Sequence, residues 1–451
     1  MPDTIVAQAT PTGESALSLV RISGDLSIQI MEQACGVRSP TPRHAYYKNY
    51  TSNKGNTLDQ VIVTFYEENK SFTSEKSLEL TCHGNQLIVE KIIDDLILKG
   101  CRIAAPGEFT LRSFLNGKID LTQAEAIAEL IGAKSEAALE LANKNLAGGL
   151  SKEITKIQDE CIKQHARLEA FIDFPEDDIG DDQHESVYKE FCSIQKRISG
   201  LIDISEKTNA FNKEINVVLI GPPNAGKSSI FNCIIGTERS IVNEIEGTTR
   251  DYIDYNLKLK KNHIKLFDTA GIRNTKEDIE QKGITKTLDL IRTSDLLLLV
   301  LDSAASYPSD IEYQIKNIID KDKTLIVLNK SDLNTILSLE KSCLKNFQTL
   351  NTSIENPHTI ENLIDVIDSH LDQRLNQNME HNFYVNVRHT VALQNAFQNL
   401  EFVLTNLKNN SEIELSVPHI KATVEELGLI VGQKDNEKML DALFSSFCIG
   451  K

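Results

Sequence analysis

A glycine-rich loop near the middle of this 451-residue sequence is the segment best suited to binding an anion. It reads GPPNAGKSS over residues 221–229, between the apolar run INVVLI and the helical pattern SSIFNCII. In the pattern G-x-x-x-x-G-K-[ST], successive backbone N–H groups and a helix N-terminus surround phosphate oxygens. Lys227 would then reach the β- and γ-phosphates, and Ser228 would ligate Mg²⁺. The alternative, an ordinary surface loop, is disfavoured by the strand and helix patterns on either side.

Two short motifs further along the chain, each after an apolar strand pattern, favour a guanine nucleotide. DTAG begins at Asp268, which is placed to hold Mg²⁺ through water, and ends at Gly271, which is placed to sense the γ-phosphate. NKSD begins at Asn329, which would tie the base to the loop, while Lys330 would pack on the face of the base. Asp332 can accept hydrogen bonds from guanine N1–H and the exocyclic amine, whereas adenine offers neither donor there. We therefore predict a GTP site, with ATP as the alternative nucleotide.

The sequence between the loop and DTAG is a candidate switch, since Thr249 in NEIEGTTRD could complete the Mg²⁺ shell while GTP is bound. The residue after DTAG is Ile272, which cannot orient a water molecule, so another polar group must do so. Glu280 is the candidate, and the alternative is a solvated charge in an acidic loop. The amide oxygen of Asn224 could ligate a monovalent cation beside the phosphates and replace an arginine finger. A last base-contacting loop belongs at residues 352–354, TSI.

Composition limits the class of protein and the kinds of partner. The net charge of −17 predicts that any nucleic-acid contact comes from a local patch, a partner subunit or a small pocket. The eight cysteines form no CxxC pair, which argues against a zinc ribbon and a disulfide framework. The sequence has no run of 18 apolar residues and no secretory leader, so we expect no membrane span and a cytoplasmic location.

Helical patterns flank the central loop on both sides. Before it, residues 120–150 contain Thr122-x-x-Glu125, which predicts a capping box. Residues 151–174 then repeat apolar side chains at mostly helical steps, namely Ile154, Ile157, Cys161, Leu168 and Phe171. Residues 388–407 and 419–432 are again helical. We predict one helical domain built from both blocks with the nucleotide domain inserted, and a linear string of three domains is the alternative.

The first 117 residues have a different pattern. Five segments are typical of strands, and residues 85–100 form an amphipathic helix that Gly100 closes. We predict a separate α+β domain. The predicted boundaries are 1–117, then 118–210 and 376–451 for the two helical blocks, and 211–375 for the nucleotide domain.

Seven segments together resemble the tRNA-modification GTPases of the MnmE or TrmE family, found in bacteria and organelles. They are VRISG (20–24), LELTCHGN (78–85), APGEFTLRSFLNGKIDLTQAEAI (105–127), GPPNAGKSS (221–229), EGTTRD (246–251), NVRHTVAL (386–393) and FCIGK (447–451). The resemblance covers the whole chain. It implies a multidomain α/β plus α fold, with an N-terminal α+β folate-binding domain that forms a homodimer, a discontinuous helical bundle and an inserted Ras-like P-loop G domain.

The resemblance also implies an activity. With an FAD-containing partner of the MnmG or GidA family, in a heterotetramer, such proteins add an aminomethyl-type group, such as carboxymethylaminomethyl, to C5 of wobble uridine 34 of tRNA. A tetrahydrofolate derivative, 5-formyl or 5,10-methylene, supplies the one-carbon unit, and the FAD belongs to the partner. GTP hydrolysis with Mg²⁺ is stimulated when two G domains meet around K⁺.

Site residues carry over from the family motif by motif. The resemblance implies K⁺ ligands at Asn224, Asn243, Ile245 and Thr248, Mg²⁺ ligands at Ser228 and Thr249, and a water-positioning Glu280. It implies folate contacts at Arg21, Glu79, Lys118 and Lys451, for which surface salt bridges are the alternative. Cys448 has either a covalent role or a place in the pocket lining. The predicted GTP-binding residues are Asn224, Ala225, Gly226, Lys227, Ser228, Ser229, Asn243, Glu244, Ile245, Glu246, Gly247, Thr248, Thr249, Asp268, Thr269, Ala270, Gly271, Asn329, Lys330, Ser331 and Asp332.

The G motifs alone allow a function of another class, a GTP-controlled binding switch such as a ribosome-assembly factor. A switch needs no folate pocket, so the terminal CIGK sequence and the Arg21, Glu79 and Lys118 set favour the folate-using GTPase. A metabolite kinase that uses the phosphate loop has no support in NKSD.

Overall fold

The structure is a computed structural model, and the ranges that it describes have several gaps. They are residues 3–173, 181–208, 215–237, 253–269, 290–307, 319–340, 342–376, 383–409, 413–433 and 437–445, with Phe447 and Gly450. The chain divides into two compact units: Met1–Ala128 with Asn143–Asp203 and Val387–Lys451, and Glu129–Ala142 with Ile204–Asn386. The second unit interrupts the first in sequence, so the predicted insertion is confirmed. The predicted domain boundaries remain predictions.

The first unit begins with a six-stranded sheet. Its strands are β1 (Ile5–Gln8), β2 (Ser15–Ser23), β3 (Ala45–Thr51), β4 (Thr57–Tyr66), β5 (Ser77–Gly84) and β6 (Arg102–Ile103), in the order β3-β4-β5-β2-β1-β6. Only the β1–β6 pair is parallel. Helices α1 (Ser27–Cys35) and α2 (Gln86–Leu98) cover the sheet with apolar side chains such as Ile30 and Ile92. The predicted α+β architecture is confirmed.

A series of helices follows the sheet. They are α3 (Glu108–Leu115), α4 (Leu121–Gly132), α5 (Glu136–Leu146), α6 (Gly149–Asp173) and α7 (Asp181–Thr208). The apolar stripe predicted on α6 lies inward, with Ile154, Ile157, Cys161 and Leu168 buried and Phe171 half-buried.

The predicted capping box at the start of α4 is wrong by two residues. The Asp120 carboxylate accepts a hydrogen bond from the Gln123 backbone N–H (3.0 Å), and the Gln123 side chain accepts one from the Asp120 backbone N–H (3.1 Å). This is the reciprocal geometry of a capping box, with Asp in place of Ser or Thr. The sequence permits both frames, and Glu125 is instead buried against another helix.

The second unit has a six-stranded, mostly parallel sheet. Its elements are β7 (Ile215–Ile220), α8 (Lys227–Thr237), β8 (Ile253–Lys258), β9 (His263–Asp268), β10 (Leu296–Asp302), β11 (Thr324–Asn329), β12 (Gln348–Asn351) and α9 (Pro357–Asn376). The strand order is β12-β11-β10-β7-β9-β8, and β8 alone runs antiparallel to its neighbour. Apolar clusters cover both faces, which is why β10 reads as continuous leucine and valine. The Ras-like P-loop architecture is confirmed.

A short segment before α5 belongs to this second unit. Ser135 forms a β-bridge with Asn262 in the turn between β8 and β9. The Glu136 backbone N–H donates to the Lys261 carbonyl (3.2 Å), and the His263 N–H donates to the Lys134 carbonyl (2.8 Å). The hairpin is therefore joined by main-chain hydrogen bonds to the connection between α4 and α5.

The last helices complete the first unit. They are α10 (Val387–Lys408), α11 (Val417–Val431) and α12 (Glu437–Ser445). Helix α11 packs against both α6 and α10. The Gln158 side chain donates to the Val424 carbonyl (3.1 Å) and to Gln433 Oε1 (2.8 Å), across more than 260 residues of sequence. The discontinuous helical bundle is therefore confirmed. Among the described residues, no helix combines the length and the apolar character needed to cross a membrane.

Candidate functional site

The phosphate-binding loop lies between β7 and α8, as its flanking sequence predicts. The Lys227 side chain is buried, and its ammonium group donates to the carbonyls of Gly221 (2.9 Å) and Pro222 (2.8 Å). The Ser228 hydroxyl donates to Asp268 Oδ2 at 2.6 Å. The structure thus brings together the three residues whose sequence motifs suggested phosphate and Mg²⁺ contacts.

Gly226 is required for the close approach of the loop to β11. Its φ is +92°, and a Cβ built there would lie 2.1 Å from Asn329 Nδ2. That same amide nitrogen donates to the Ala225 carbonyl (2.9 Å), which ties the NKSD motif to the phosphate loop. The other amide atom, Asn329 Oδ1, is buried and has no hydrogen-bond partner among the described residues. An unpaired buried acceptor is costly, and a nucleotide base is the kind of group that would satisfy it.

The predicted last loop, TSI, lies beside NKSD. Ser353 donates its hydroxyl hydrogen to Asp332 Oδ1, and the Ser331 N–H donates to the Thr352 carbonyl (3.1 Å). The carboxylate of Asp332 is thereby oriented by a neighbouring hydroxyl. Thr352 and Ser353 are buried, whereas Asp332 is exposed and accessible to a ligand.

Two residues at the end of β10 hold the NKSD motif and were missed in the sequence. Asp302 accepts a hydrogen bond from the Lys330 ammonium group at 2.6 Å, and Ser303 donates to the Lys330 carbonyl at 3.0 Å. The Ser303 N–H also donates to the Asn329 carbonyl (2.9 Å). Burial opposes ionisation of Asp302, but the hydrogen bonds from Lys330 and the Ala304 N–H, together with the charge of Lys330, outweigh burial and lower the pKa of the carboxyl. Lys330 is thus held with φ of +59°.

Several predicted site residues lie outside the described residues. They are Asn243, Glu244, Ile245, Glu246, Gly247, Thr248, Thr249, Ala270, Gly271, Glu280, Cys448 and Lys451. Of the predicted K⁺ ligands, the structure describes Asn224, which is exposed in the loop with φ of +63°. Ser229 is also exposed, and Thr269 donates its hydroxyl hydrogen to the Leu219 carbonyl (2.7 Å).

A second group of polar residues lies on the sheet of the first unit. Arg21 on β2 and Glu79 on β5 are direct cross-strand neighbours, and Arg21 Nη2 lies 2.8 Å from Glu79 Oε1. The Tyr66 hydroxyl, at the end of β4, donates to Glu79 Oε2 (3.0 Å). Burial and the adjacent Glu79 raise the pKa of Tyr66, so its hydroxyl remains a donor. The sequence motifs gave Arg21 and Glu79, but Tyr66 follows only from the strand register.

Aromatic rings and a distant chain segment enclose this pair. The Arg21 guanidinium carbon lies 5.8 Å from the centre of the Phe72 ring and 5.9 Å from that of Phe109. Arg21 Nη1 donates to the Gly450 carbonyl at 3.4 Å, so the FCIGK segment reaches this sheet. A Cβ at Gly450 would lie 2.3 Å from the Gln8 carbonyl oxygen, which shows how tightly this segment packs.

Lys118 contacts the loop that contains Phe72. Its ammonium group donates to the Ser71 carbonyl. The cluster therefore combines a carboxylate, a guanidinium, an ammonium group and aromatic faces. Glu79 can pair with ring amino and N–H donors, and the cations suit a ligand carboxylate. This donor and acceptor set fits a reduced folate.

The nucleotide loop has hard oxygen donors of the kind that Mg²⁺ prefers, in Ser228 and Asp268. Among the described residues, no group of at least three His, Cys, Asp or Glu side chains is placed to hold a metal. Mg²⁺ in phosphate sites is commonly held by one or two protein ligands together with phosphate oxygens and water.

Comparisons with known proteins identify the family of this chain. Residues 121–448 match the family described as MnmE helical domain, and residues 4–118 match GTP-binding protein TrmE N-terminus. The tRNA modification GTPase MnmE of Opitutus terrae is 36% identical over 451 residues, 100% of this chain and 99% of that protein. The Aquifex aeolicus protein of the same name is 36% identical over 456 residues, 100% of both chains. That of Clostridioides difficile is 34% identical over 457 residues, 100% of this chain and 99% of the relative. The chain therefore belongs to the MnmE family of tRNA modification GTPases.

Proposed function

We propose that this GTPase uses a reduced folate to add an aminomethyl-type group to C5 of wobble uridine 34 of tRNA, together with an FAD-containing MnmG-type partner. The observation that supports this best is the Arg21, Glu79 and Tyr66 cluster with Phe72, which lies in a different unit from the nucleotide loop. A GTP-controlled switch requires the nucleotide site alone. A second built site points to chemistry on another substrate.

Under this proposal, each residue of the nucleotide site has a defined role in GTP hydrolysis. Lys227 binds the β- and γ-phosphates, and Ser228 and Thr249 hold Mg²⁺, which neutralises charge on the phosphates. Asp332 and Asn329 select guanine. Glu280 orients the attacking water, since Ile272 follows DTAG and has no polar group. The protein acts in the cytoplasm as a homodimer, and the N-terminal domain forms the dimer interface.

Asn224 is proposed to ligate K⁺ through its amide oxygen, with backbone oxygens of Asn243, Ile245 and Thr248. The exposed side chain and the turn conformation of Asn224 support this role. We expect GTP hydrolysis to be fast in K⁺ and slow in Na⁺, and Asn224→Ala to remove the difference while nucleotide binding persists. Steady-state hydrolysis in matched chloride salts measures this. Equal rates of the unaltered protein in both salts would contradict the proposal.

The function is tested by mass spectrometry of wobble uridine in tRNA from cells that lack this protein. Restoring the unaltered gene should restore the modified nucleoside, and restoring Glu79→Gln or Glu280→Ala should not. The two variants separate the sites, because Glu79→Gln should keep GTP hydrolysis and lose binding of 5-formyltetrahydrofolate. If Glu79→Gln supports normal modification, or the purified chain binds no folate, the GTP-controlled switch becomes the better interpretation.

A further inference from the structure

A lysine-lined groove lies in the first unit, away from the nucleotide loop, and adjoins the proposed folate site at Lys118. It consists of two adjoining cavities of about 610 and 600 Å³ that share Asp120 and Gln433. Lys152, Lys156 and Lys163 of α6 line the first cavity, and Lys118 lines the second. We call this the lysine groove. Each cavity has a volume within the range of about 300–1,000 Å³ that is usual for a small-molecule pocket, and the two together form a longer depression.

Four lysines and three carboxylates line the lysine groove, so its lining has a net formal charge of +1 in an acidic protein. Among the described residues, Lys152, Lys156 and Lys163 form no ion pair with a carboxylate, in a protein whose net charge is −17. Lys152 and Lys156 are one turn apart on the same face of α6. Like charges at this spacing repel each other, and a bound anion would reduce that repulsion.

Two of the three carboxylates that line the groove are already engaged. Asp120 caps α4, accepting from the Thr122 hydroxyl (2.6 Å) and the Gln123 N–H (3.0 Å). Glu160 accepts from Arg197. Asp159 has no cationic partner among the described residues, so four lysines lie beside three carboxylates, of which Glu160 alone is paired with an arginine.

One end of the groove lies beside the proposed folate site. Lys118 lines the second cavity and contacts the Ser71 carbonyl, next to Phe72, whose ring lies over Arg21. Along α6, Lys152 and Lys163 are about 16 Å apart, given a rise of 1.5 Å per residue. The groove is thus an extended cationic path that leads to the place where base chemistry is proposed.

We propose that the lysine groove binds the sugar–phosphate backbone of an RNA strand. The proposal rests on the proposed function only for the identity of the RNA as a modification substrate. Lysine ammonium groups contact phosphates as point charges and release counterions, so the binding is independent of sequence and strongly dependent on salt. The other polyanion that fits is the poly-γ-glutamate tail of a folate, but the extent of the groove favours an RNA strand.

The test is the affinity of the full chain for a labelled tRNA transcript, measured by fluorescence anisotropy between about 50 and 200 mM KCl. The groove variant is Lys152→Gln, Lys156→Gln and Lys163→Gln combined. We expect its Kd at about 100 mM KCl to rise at least tenfold and the salt slope to fall by about 2–3. A variant with arginine at the same three positions should retain both values.

The matched control replaces exposed lysines of the same unit outside the groove, Lys54→Gln, Lys91→Gln and Lys196→Gln combined. It removes the same net charge, and we expect its Kd to change by less than about threefold. Equal weakening by both variants, unchanged binding in the groove variant, or no RNA binding by the unaltered chain would each overturn the proposal. The proposal would also fail if the groove variant bound RNA normally but bound polyglutamylated 5-formyltetrahydrofolate more weakly, with its affinity for the monoglutamyl form unchanged. This experiment measures RNA binding and not modification, so its outcome does not depend on the outcome of the modification assay.

Discussion

At the scale of single residues, Asp302 has a clear effect on the nucleotide site. It holds the Lys330 ammonium group at 2.6 Å, and Ser303 holds the Lys330 backbone. Both effects orient the side chain that is proposed to pack on guanine. The NKSD motif itself was predictable because it follows a strand pattern. Asp302 was not, because its role depends on the β10–β11 register, which places it directly opposite Asn329.

We expect Asp302→Asn to weaken binding of GDP and GTP by about three- to tenfold, since a charge-assisted hydrogen bond contributes roughly 1.5–3 kcal/mol at most and part of it is recovered by the amide. Fluorescent GDP titration measures the change. Asp254→Asn is the control, because Asp254 pairs with Lys265 between β8 and β9 in the same unit. If both variants bind GDP equally well, Asp302 does not position Lys330.

For Arg21 and Glu79 as well, sequence motifs identify the residues, whereas the strand register shows that they are in contact. Both residues were identified through sequence motifs, but their direct opposition on β2 and β5 required the structure. Tyr66, Phe72 and Phe109 complete the cluster from three other elements, and no spacing in the sequence signals them. Long-range pairing, which local patterns do not encode, accounts for these omissions.

At the scale of elements, the β8–β9 hairpin is fixed at two places. Its turn is joined by main-chain hydrogen bonds to residues 134–136, and Asp368 of α9 accepts from Asn262 Nδ2 (2.8 Å) and the Lys261 N–H (3.1 Å). Asp368 is only 4% exposed. The helical pattern over residues 120–150 gave no sign of this junction, because local periodicity does not reveal that α4 and α5 are separated by a β-bridge.

Removing the Asp368 carboxylate should loosen this junction. Asp368→Ala removes the carboxylate that accepts from the buried Asn262 side chain and from the Lys261 backbone N–H, and a buried donor that loses its partner costs about 1–3 kcal/mol. We expect faster hydrogen–deuterium exchange over residues 133–142 and 259–263, measured by mass spectrometry.

The control for this effect is Asp365→Ala on the same helix. Asp365 pairs with Lys260, but both side chains are largely exposed, so the pair contributes about 0–1 kcal/mol. Exchange in that variant should match the unaltered protein. Identical exchange in the Asp368 and Asp365 variants would show that the buried carboxylate does not hold the hairpin.

At the scale of the whole molecule, a buried charged group joins two parts of the first unit that are distant in sequence. Glu125 of α4 accepts from Arg388 (2.7 and 2.8 Å) and from His389 (2.6 Å), both on α10. Arg388 also donates to the Leu429 and Ile430 carbonyls at the end of α11. Burial opposes ionisation of Glu125, but His389 and Arg388 outweigh it and lower the pKa of the carboxyl. The sequence placed these helices in one domain without indicating this contact.

Arg388→Met should destabilise the first unit strongly, because it leaves the Glu125 carboxylate buried without its cation. Breaking a buried ion pair from one side costs about 3–5 kcal/mol. Urea unfolding followed by circular dichroism measures the loss. Arg38→Met is the control, since Arg38 and Glu32 form an exposed pair in the same unit. A midpoint for Arg388→Met equal to that of the control would contradict this role.

His389 should make the stability of this unit depend on pH. The residue is 1% exposed, and burial lowers its pKa below the ordinary value of 6.5. The unfolded chain therefore takes up a proton at higher pH than the folded protein does, so stability falls as pH decreases below about 6.5. We expect the melting temperature to drop between about pH 7.5 and 5.5, and His389→Asn to reduce the drop. His44 is exposed, so His44→Asn should show the same dependence of melting temperature on pH as the unaltered protein. If His389→Asn also shows the same dependence as the unaltered protein, His389 is not the group responsible.

The contact between Arg21 and Gly450 has a consequence for the order of events during synthesis. The strands that hold Arg21 and Glu79 are complete once the ribosome has made about a fifth of the chain, but the Gly450 carbonyl emerges more than 360 residues later. The packing of Phe444 and Phe447 against Leu121 and Phe114 is equally delayed. A nascent chain can thus fold its first sheet early, yet it cannot close the proposed folate pocket until the segment that contains Gly450 has been made. Prematurely terminated products would remain inert toward the one-carbon donor.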